Sequence, residues 1–352
     1  MESNEIKLSI IIPVYNTEKY IKRCMDTVIL AVESIKNQVE VIVINDGSTD
    51  ASEQIILENY LIYPFVKYYK KANGGLSDVK NYGLKRANGE FVIFLDSDDF
   101  IEPKMYVEML NKAEQENSDI VVCDIKLVYD DEKKNTIWSC TIDSRKDIFA
   151  KVIDMSMMPA SWNKIVKREL YKGLFFPVGI NNEDVAVTPI VLARAKKISV
   201  INKPYYNYYQ RAGSIQNSEF NEKRFVILET VKMCTDQLNE VEDEKGKKIK
   251  GSLYMHQVLA LALYPIREQK IRLRYYLLKK YMTQVEINFP DIWENDEVKE
   301  STQWEGRGMQ YFRKISYGLL ERQLYFLTCL FWSLCNFGLL IVKSRHNKRK
   351  SR

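Results

Sequence analysis

The sequence predicts an α/β fold, an open and mostly parallel sheet with helices on both faces, followed by a helical region. Three observations predict it. Short apolar runs alternate with helical patterns from Leu8 to Leu95. Each run is continuous rather than alternating, which suits strands covered on both faces. Polar and glycine-rich residues follow every run: "YN", "NDGS", "NGG" and "DSDD" in chain order.

The elements follow from local pattern. "LSIIIPVY" (Leu8–Tyr15) is an apolar run closed by Pro13 and reads as a strand. "NTEKYIKRCMDTVILAV" places Tyr20, Ile21, Cys24, Met25 and Val28 at helical spacing, with Asn16 or Thr17 as N-cap. "VEVIVIND" (Val39–Asp46) is β-branched and reads as a second strand. "GSTDASEQIILENY" is turn and helix, with Asp50 and Glu53 at capping-box spacing. "FVKYY" (Phe65–Tyr69) is a third strand, "GGLSDVKNYGLKRA" a glycine turn and helix, and Phe91–Leu95 the fourth strand. Alternation of this kind is the pattern of an open α/β sheet, which binds ligands at the carboxyl ends of its strands. The polar clusters gather there, so four strand ends supply one crevice.

Composition narrows the class. The chain has 352 residues, 46% of them hydrophobic, enough for a large core. Its net charge of +5 is a property of the last ten residues, "KSRHNKRKSR", which hold six Lys or Arg and no acid. Without them the body stands at 5 − 6 = −1, so a nucleic-acid-binding surface on the main domain is not expected. Six cysteines lie far apart with no CxxC, and there are only two histidines. That disfavours a Cys/His zinc site and fits reduced thiols in a cytosolic setting. "MESNEIKLSI" has no pattern of a signal peptide.

The fourth strand, in "EFVIFLDSDDF", runs straight into Asp96, Asp98 and Asp99. Carboxylates so close repel one another unless a cation sits among them. Mg²⁺ or Mn²⁺ commonly takes one or two carboxylates together with phosphate oxygens. The bland alternative is a solvated loop or a cap for the helix near Pro103. Placement beside three other polar strand ends favours the metal reading. A second acidic pair, Glu183 and Asp184 in "GINNEDVAVTPIVLARA", stands at a helix N-terminus, where negative charge is favoured in any case.

Five segments, "SIIIPVYN", "VIVINDGSTD", "NGGLSDVKNYGL", "GEFVIFLDSDD" and "NNEDVAVTPIVLARAKKI", resemble in order and spacing the family 2 glycosyltransferases with the GT-A fold, a Rossmann-like architecture. Bacterial capsule and exopolysaccharide enzymes are the nearest type. The similarity covers about residues 7–215, some three fifths of the chain. It implies an inverting, metal-dependent hexosyltransferase using a nucleotide sugar, a UDP-sugar first. The acceptor it implies is a hydroxyl of a growing glycan or lipid-linked molecule. It implies that Pro13, Val14 and Tyr15 lie against the base and that Asp46 contacts uracil or its ribose. Gly75 would admit backbone close to the nucleotide. Lys80 stands where the family usually has arginine, which removes the planar fork. Asp96, with Ser97 beside it, would face ribose and donor sugar. Asp98 would bind Mn²⁺ or Mg²⁺, with Asp99 behind it. Asp184 would be the general base and Glu183 the fallback.

Two further patches follow from the resemblance. "SWNKIVKREL" (Ser161–Leu170) would line the acceptor side with Trp162 as a sugar platform, against a plain reading as core packing. "YYNYYQRAGSI" (Tyr205–Ile215) would carry Arg211 and Ser214 on a loop that closes over the diphosphate, its tyrosines reading as a packed strand. Two competitors stand beside the transferase. A haloacid dehalogenase-type phosphohydrolase wants Thr or Val two residues after its second Asp, and this motif comes late in the fold. A non-catalytic nucleotide-sugar-binding protein is disfavoured by the joint presence of Asp46, Asp96, Asp98 and Asp184.

The expected domains are a GT-A domain over 1–215, a helical extension over 216–320, and an apolar helix with basic tail over 321–352. The second half shows amphipathic helices and a lone His256, without a catalytic constellation. Leu324 to Val342 is 19 residues without a charge. As a helix it would be ~28 Å long, close to the ~30 Å bilayer core. A single span would export the basic tail, against the positive-inside tendency. Attachment in the plane of the inner face of the cell membrane, with the tail on anionic lipid, resolves that conflict. A true span, a helix buried in a homo-oligomer and a soluble core helix are the alternatives.

Overall fold

The computed structural model describes residues 5–139, 160–180, 182–210, 225–239, 244–296, 298 and 307–335. The chain divides into two compact units, Met1–Ser218 and Glu219–Arg352. The expected boundary after residue 215 lies outside the described residues, as do Arg211 and Ser214.

In the first unit the four expected strands are β1 (Leu8–Val14), β2 (Val39–Asn45), β3 (Val66–Lys70) and β4 (Phe91–Phe94). They pair in parallel in the order β3-β2-β1-β4, with Leu8 opposite both Val39 and Phe91. Every residue of β1, β2 and β4 is buried, which is why these runs are apolar throughout. Helices α1 (Ile21–Val32), α2 (Ser52–Asn59) and α3 (Leu76–Leu84) make the crossovers. A Cβ on Gly83 of α3 would lie 2.5 Å from the Ile11 side chain, so glycine sets how closely this helix lies on β1.

Beyond β4 the sheet is mixed, which corrects the mostly parallel expectation. The added elements are β5 (Phe100–Ile101), α4 (Met105–Glu116), β6 (Ile120–Val128), β7 (Thr136–Trp138), β8 (Lys164–Lys167), α5 (Glu183–Arg194) and β9 (Ile198–Tyr209). The sheet continues from β4 as β8-β6-β9-β5, with β7 on β6. β8 runs antiparallel to both β4 and β6, while β9 is parallel to β6 across the α5 crossover. The tyrosine-rich run is part of β9, as its strand reading expects.

Two cap expectations are corrected. α1 begins at Ile21, and the amides of Tyr20 and Ile21 bond the Thr17 carbonyl rather than a side chain. Asn16 adopts φ 51° and accepts from Thr49 N through its side chain, spanning two strand-end loops. Glu53 does not close a capping box. It accepts from Tyr68 Oη at 3.0 Å and Lys70 Nζ at 2.7 Å, while Asp50 accepts from Ser52 N.

The second unit is helical: α6 (Val226–Leu238), α7 (Glu244–Leu253), a π-helical stretch (Tyr254–Leu261), α8 (Ala262–Arg267), α9 (Ile271–Asn288) and α10 (Arg307–Glu321). Residues 325–335 form a further helix. Tyr281 anchors α9, fully buried and donating to the Val258 carbonyl at 2.8 Å. Among the described residues no helix is long and apolar enough to cross a membrane. The apolar run Leu324–Val342 is described only as far as residue 335.

Candidate functional site

The carboxyl ends of β1, β2, β3 and β4 lie along one rim, and most of the expected site residues follow these ends. Pro13 has a structural consequence there. β1 and β4 are in register up to Ile11 opposite Phe94, with Leu95 N bonding Ile11 O at 2.9 Å. Pro13 has no N–H to extend that ladder, so the two strands can part at the rim. Pro13 and Val14 are buried in the strand, with Val14 in the core, and Tyr15 is 51% exposed at the edge.

Asp46 follows β2 and organises the loop after β3. Its carboxylate accepts from Gly74 N at 2.9 Å and Gly75 N at 2.8 Å, and pairs with Lys71 Nζ at 2.5 Å. A nucleotide contact from that carboxylate therefore competes with the loop it holds. Gly75 has φ 84°, a region other residues enter at a cost, and it starts α3. A Cβ at Gly75 would meet nothing within 4 Å, so conformation rather than space requires glycine there.

The turn after β4 places three carboxylates with different surroundings. Asp99 N donates to Asp96 O at 3.0 Å and closes the turn. Asp99 is fully buried and points into the fold, accepting from Tyr206 Oη at 2.6 Å and Tyr209 N at 2.8 Å. It fastens the turn to the end of β9. Burial, followed by Asp96 and Asp98, pushes its carboxyl well above the ordinary range. Arg23 from α1 donates to the Asp98 carbonyl at 3.0 Å, its guanidinium packed 4.3 Å from the Phe100 ring centre and 4.6 Å from that of Tyr209. Ser97 is buried, whereas Asp96 and Asp98 are partly open.

Lys80 joins this turn to the second acidic pair. It projects from α3, is 1% exposed, and donates to Glu183 Oε1 at 2.8 Å, Asp184 Oδ1 at 2.7 Å and Ser161 Oγ at 3.1 Å. The rings of Phe94 and Phe176 lie 5.5 and 5.2 Å from its ammonium. Burial works against its charge, yet Asp184, Glu183 and Asp96 together hold its pKa above the ordinary lysine range. Asp184 also accepts from Ser161 N at 3.2 Å. Both acids lie in the first turn of α5, where the helix end favours negative charge. Burial raises the Asp96 carboxyl to about 7; Lys80 opposes this and Asp98, Asp184 and Glu183 add to it.

The donor chemistry suits a hard cation that brings other ligands. No group of three or more His, Cys, Asp or Glu among the described residues could hold a metal ion by itself. Asp99 is spent on Tyr206 and Tyr209, which leaves Asp96 and Asp98 at the mouth of the turn. One or two carboxylates, completed by phosphate oxygens and water, is what Mg²⁺ or Mn²⁺ takes alongside a nucleotide.

Trp162 corrects a further expectation. It is 6% exposed, stacked on Tyr206 at 4.3 Å between ring centres and tilted against Tyr208 at 5.3 Å. Its ring is core packing rather than an acceptor platform. The sequence reading missed Lys71, Ser161, Arg23 and Tyr206. Ser161 and Tyr206 lie within segments it singled out without a role of their own and Lys71 lies just before one, whereas Arg23 sits on a helix read only for its apolar face.

Known proteins resemble this chain in sequence and in fold. The Glycosyl transferase family 2 profile matches residues 9–179. EpsH of Bacillus subtilis, named as a glycosyltransferase, is 30% identical over 72% of this chain and 76% of its own length. Glycosyltransferase GlyA of Streptococcus pneumoniae is 31% identical over 59% of this chain, which spans 31% of GlyA. The crystal structure of S. aureus TarS 1–349 in complex with UDP-GlcNAc superposes with a TM-score of 0.66 at 22% identity, covering 90% of this chain and 92% of that one. That likeness carries the fold, an α/β GT-A architecture with a helical region after it. On the relation to EpsH and the profile match, this chain belongs to glycosyltransferase family 2.

Proposed function

We propose that the protein transfers a sugar, with inversion, from a UDP-sugar to a hydroxyl of a growing glycan or lipid-linked acceptor in surface polysaccharide synthesis. One observation carries this reading. Lys80 binds Glu183 and Asp184 while its ammonium lies 5.5 Å from the ring of Phe94, the last residue of β4 and two before Asp96, so the two acidic pairs sit near one crevice. One pair suits the donor diphosphate and the other an acceptor hydroxyl. UDP-GlcNAc in the TarS structure supports a UDP-linked donor.

The residues divide the work as follows. Tyr15 offers an exposed ring at the rim for the base. Asp46 holds the Gly74–Gly75 loop, so that backbone can come close to the nucleotide. Asp98, with Asp96 beside it, would hold Mn²⁺ or Mg²⁺ and phosphate oxygens, and the cation would offset charge on the leaving diphosphate. Asp184 takes the proton from the acceptor hydroxyl as that oxygen attacks the anomeric carbon from the face opposite the diphosphate. One displacement inverts the configuration, so an α-linked donor gives a β-linked product. Lys80 and Ser161 fix the orientation of Asp184.

Screening nucleotide sugars for UDP release by the full chain, with and without Mn²⁺, tests the proposal. Metal-dependent UDP release from at least one UDP-sugar is expected. Release of inorganic phosphate from a phosphomonoester, with none of UDP, would point instead to the phosphohydrolase.

A further inference from the structure

The helix at 325–335 has two faces of opposite exposure and one chemistry. Tyr325, Thr328, Cys329 and Trp332 are buried, and Trp332 Nε1 donates to Ser316 Oγ of α10 at 2.8 Å. The opposite face carries Phe326, Leu327, Leu330 and Leu334 at 58, 47, 38 and 72% exposure. In an ordinary surface helix that face is polar. Four large apolar side chains at i, i+1, i+4 and i+8 instead form a continuous uncovered stripe.

The helix is held firmly on its inner side. It runs antiparallel along α9, with Tyr325 Oη donating to Glu286 at 3.0 Å at one end. At the other end Arg274 donates to Cys329 O at 3.0 Å and Ser333 Oγ at 2.8 Å. The stripe is therefore presented by a fixed support. α9 adds exposed Leu273 and Tyr276, with exposed Arg272 just before them in sequence. The ten residues from Lys343 onward carry six Lys or Arg and no acid.

We propose that this stripe is a membrane-docking face which lies in the plane of an anionic bilayer. Its leucines and Phe326 enter the acyl boundary, and the positive charge of the sequence from Lys343 onward favours acidic headgroups. Charge complementarity selects this occupant. Apolar contact and Lys/Arg attraction to acidic lipid reinforce each other at a bilayer surface. The inference does not rest on the transferase reading, because surface attachment and donor turnover are read separately.

The test is sedimentation of the full chain with vesicles of equal parts phosphatidylglycerol and phosphatidylcholine, against vesicles of phosphatidylcholine alone. Binding to the anionic vesicles that weakens with added salt is expected. The double variant Leu330→Glu/Leu334→Glu should lose at least about tenfold in binding, with unchanged circular dichroism and melting temperature. Replacing Lys348, Arg349 and Lys350 by Gln should also reduce binding, and donor hydrolysis in solution should be unaffected by either set. No preference for anionic vesicles, or full binding by the folded double variant, would overturn the proposal. So would a dimer in light scattering that the double variant dissociates while vesicle binding stays unchanged, since a second copy would then be the occupant.

Discussion

Lys80 and Asp184 are 104 residues apart in the chain and 2.7 Å apart in the fold, and their contact joins the helix after β3 to the helix before β9. Lys80 is sealed from water, so its charge is tolerated only because Glu183 and Asp184 meet it. Removing the cation by Lys80→Met should leave two partly buried carboxylates unpaired beside Asp96 and cost about 3–5 kcal/mol in urea unfolding. Lys80→Arg keeps the charge but adds bulk to a closed site and should cost ~1–3 kcal/mol. A Lys80→Met protein within about 0.5 kcal/mol of wild type would show that the contact does not hold the two helices.

The two acidic pairs should separate in function. Asp98→Ala removes a partly exposed side chain from the rim, so the fold should persist while metal-dependent donor turnover is lost. Asp184→Asn keeps one acceptor oxygen, enough for the Lys80 bond at the expense of that from Ser161 N, and loses the basic carboxylate. It should bind UDP-sugar normally by calorimetry and fail to transfer. Normal transfer by Asp184→Asn would move the base elsewhere, with Glu183 the next to test.

β1, β2 and β4 were legible because each is buried along its whole length and writes a continuous apolar run. β8 and β5 were not, since four and two residues are too few for a period. Their placement depends on pairing with distant partners, such as Phe91 with Lys167. The site residues follow the same division. Asp96 and Asp98 announce themselves by ending an apolar strand. The inward turn of Asp99 to Tyr206, and of Asp46 to the glycine loop, is decided by tertiary neighbours that no local pattern encodes. Trp162 was ambiguous for a related reason: an indole in a polar segment reads equally as platform or packing until its partners are known.

Glu40 provides a pH-dependent term away from the catalytic rim. It is 1% exposed and accepts from Ser9 Oγ and Asn88 N, both at 2.6 Å, and pairs with Lys67 at 2.6 Å. Burial tends to raise its carboxyl, but Lys67, Ser9 and Asn88 outweigh it and the folded pKa lies below the ordinary value. The stabilisation is thus fully present above the unfolded carboxyl pKa of about 4.3 and is lost as pH falls through the lower folded value. Denaturant unfolding of wild type and Glu40→Gln should therefore differ most near neutral pH and converge in acid. A gap that widens on acidification would reverse the sign and exclude this role.

Trp162 connects packing to the rim without touching it. Its ring stacks on Tyr206, and Tyr206 donates to Asp99, which closes the turn carrying Asp98. Trp162→Ala should open a cavity and cost about 3–5 kcal/mol, while Trp162→Phe, which keeps a stacked ring, should cost less. Both should lower donor turnover through the loosened Asp99 anchor and leave the acceptor KM unmoved in whatever folded fraction remains. A selective rise in acceptor KM at unchanged stability would instead put the indole against the acceptor sugar. In that case the stack on Tyr206 would have to open during the reaction, and the Tyr206→Phe protein, which keeps the ring but drops the Asp99 bond, would distinguish the two by changing donor turnover only if the anchor is what matters.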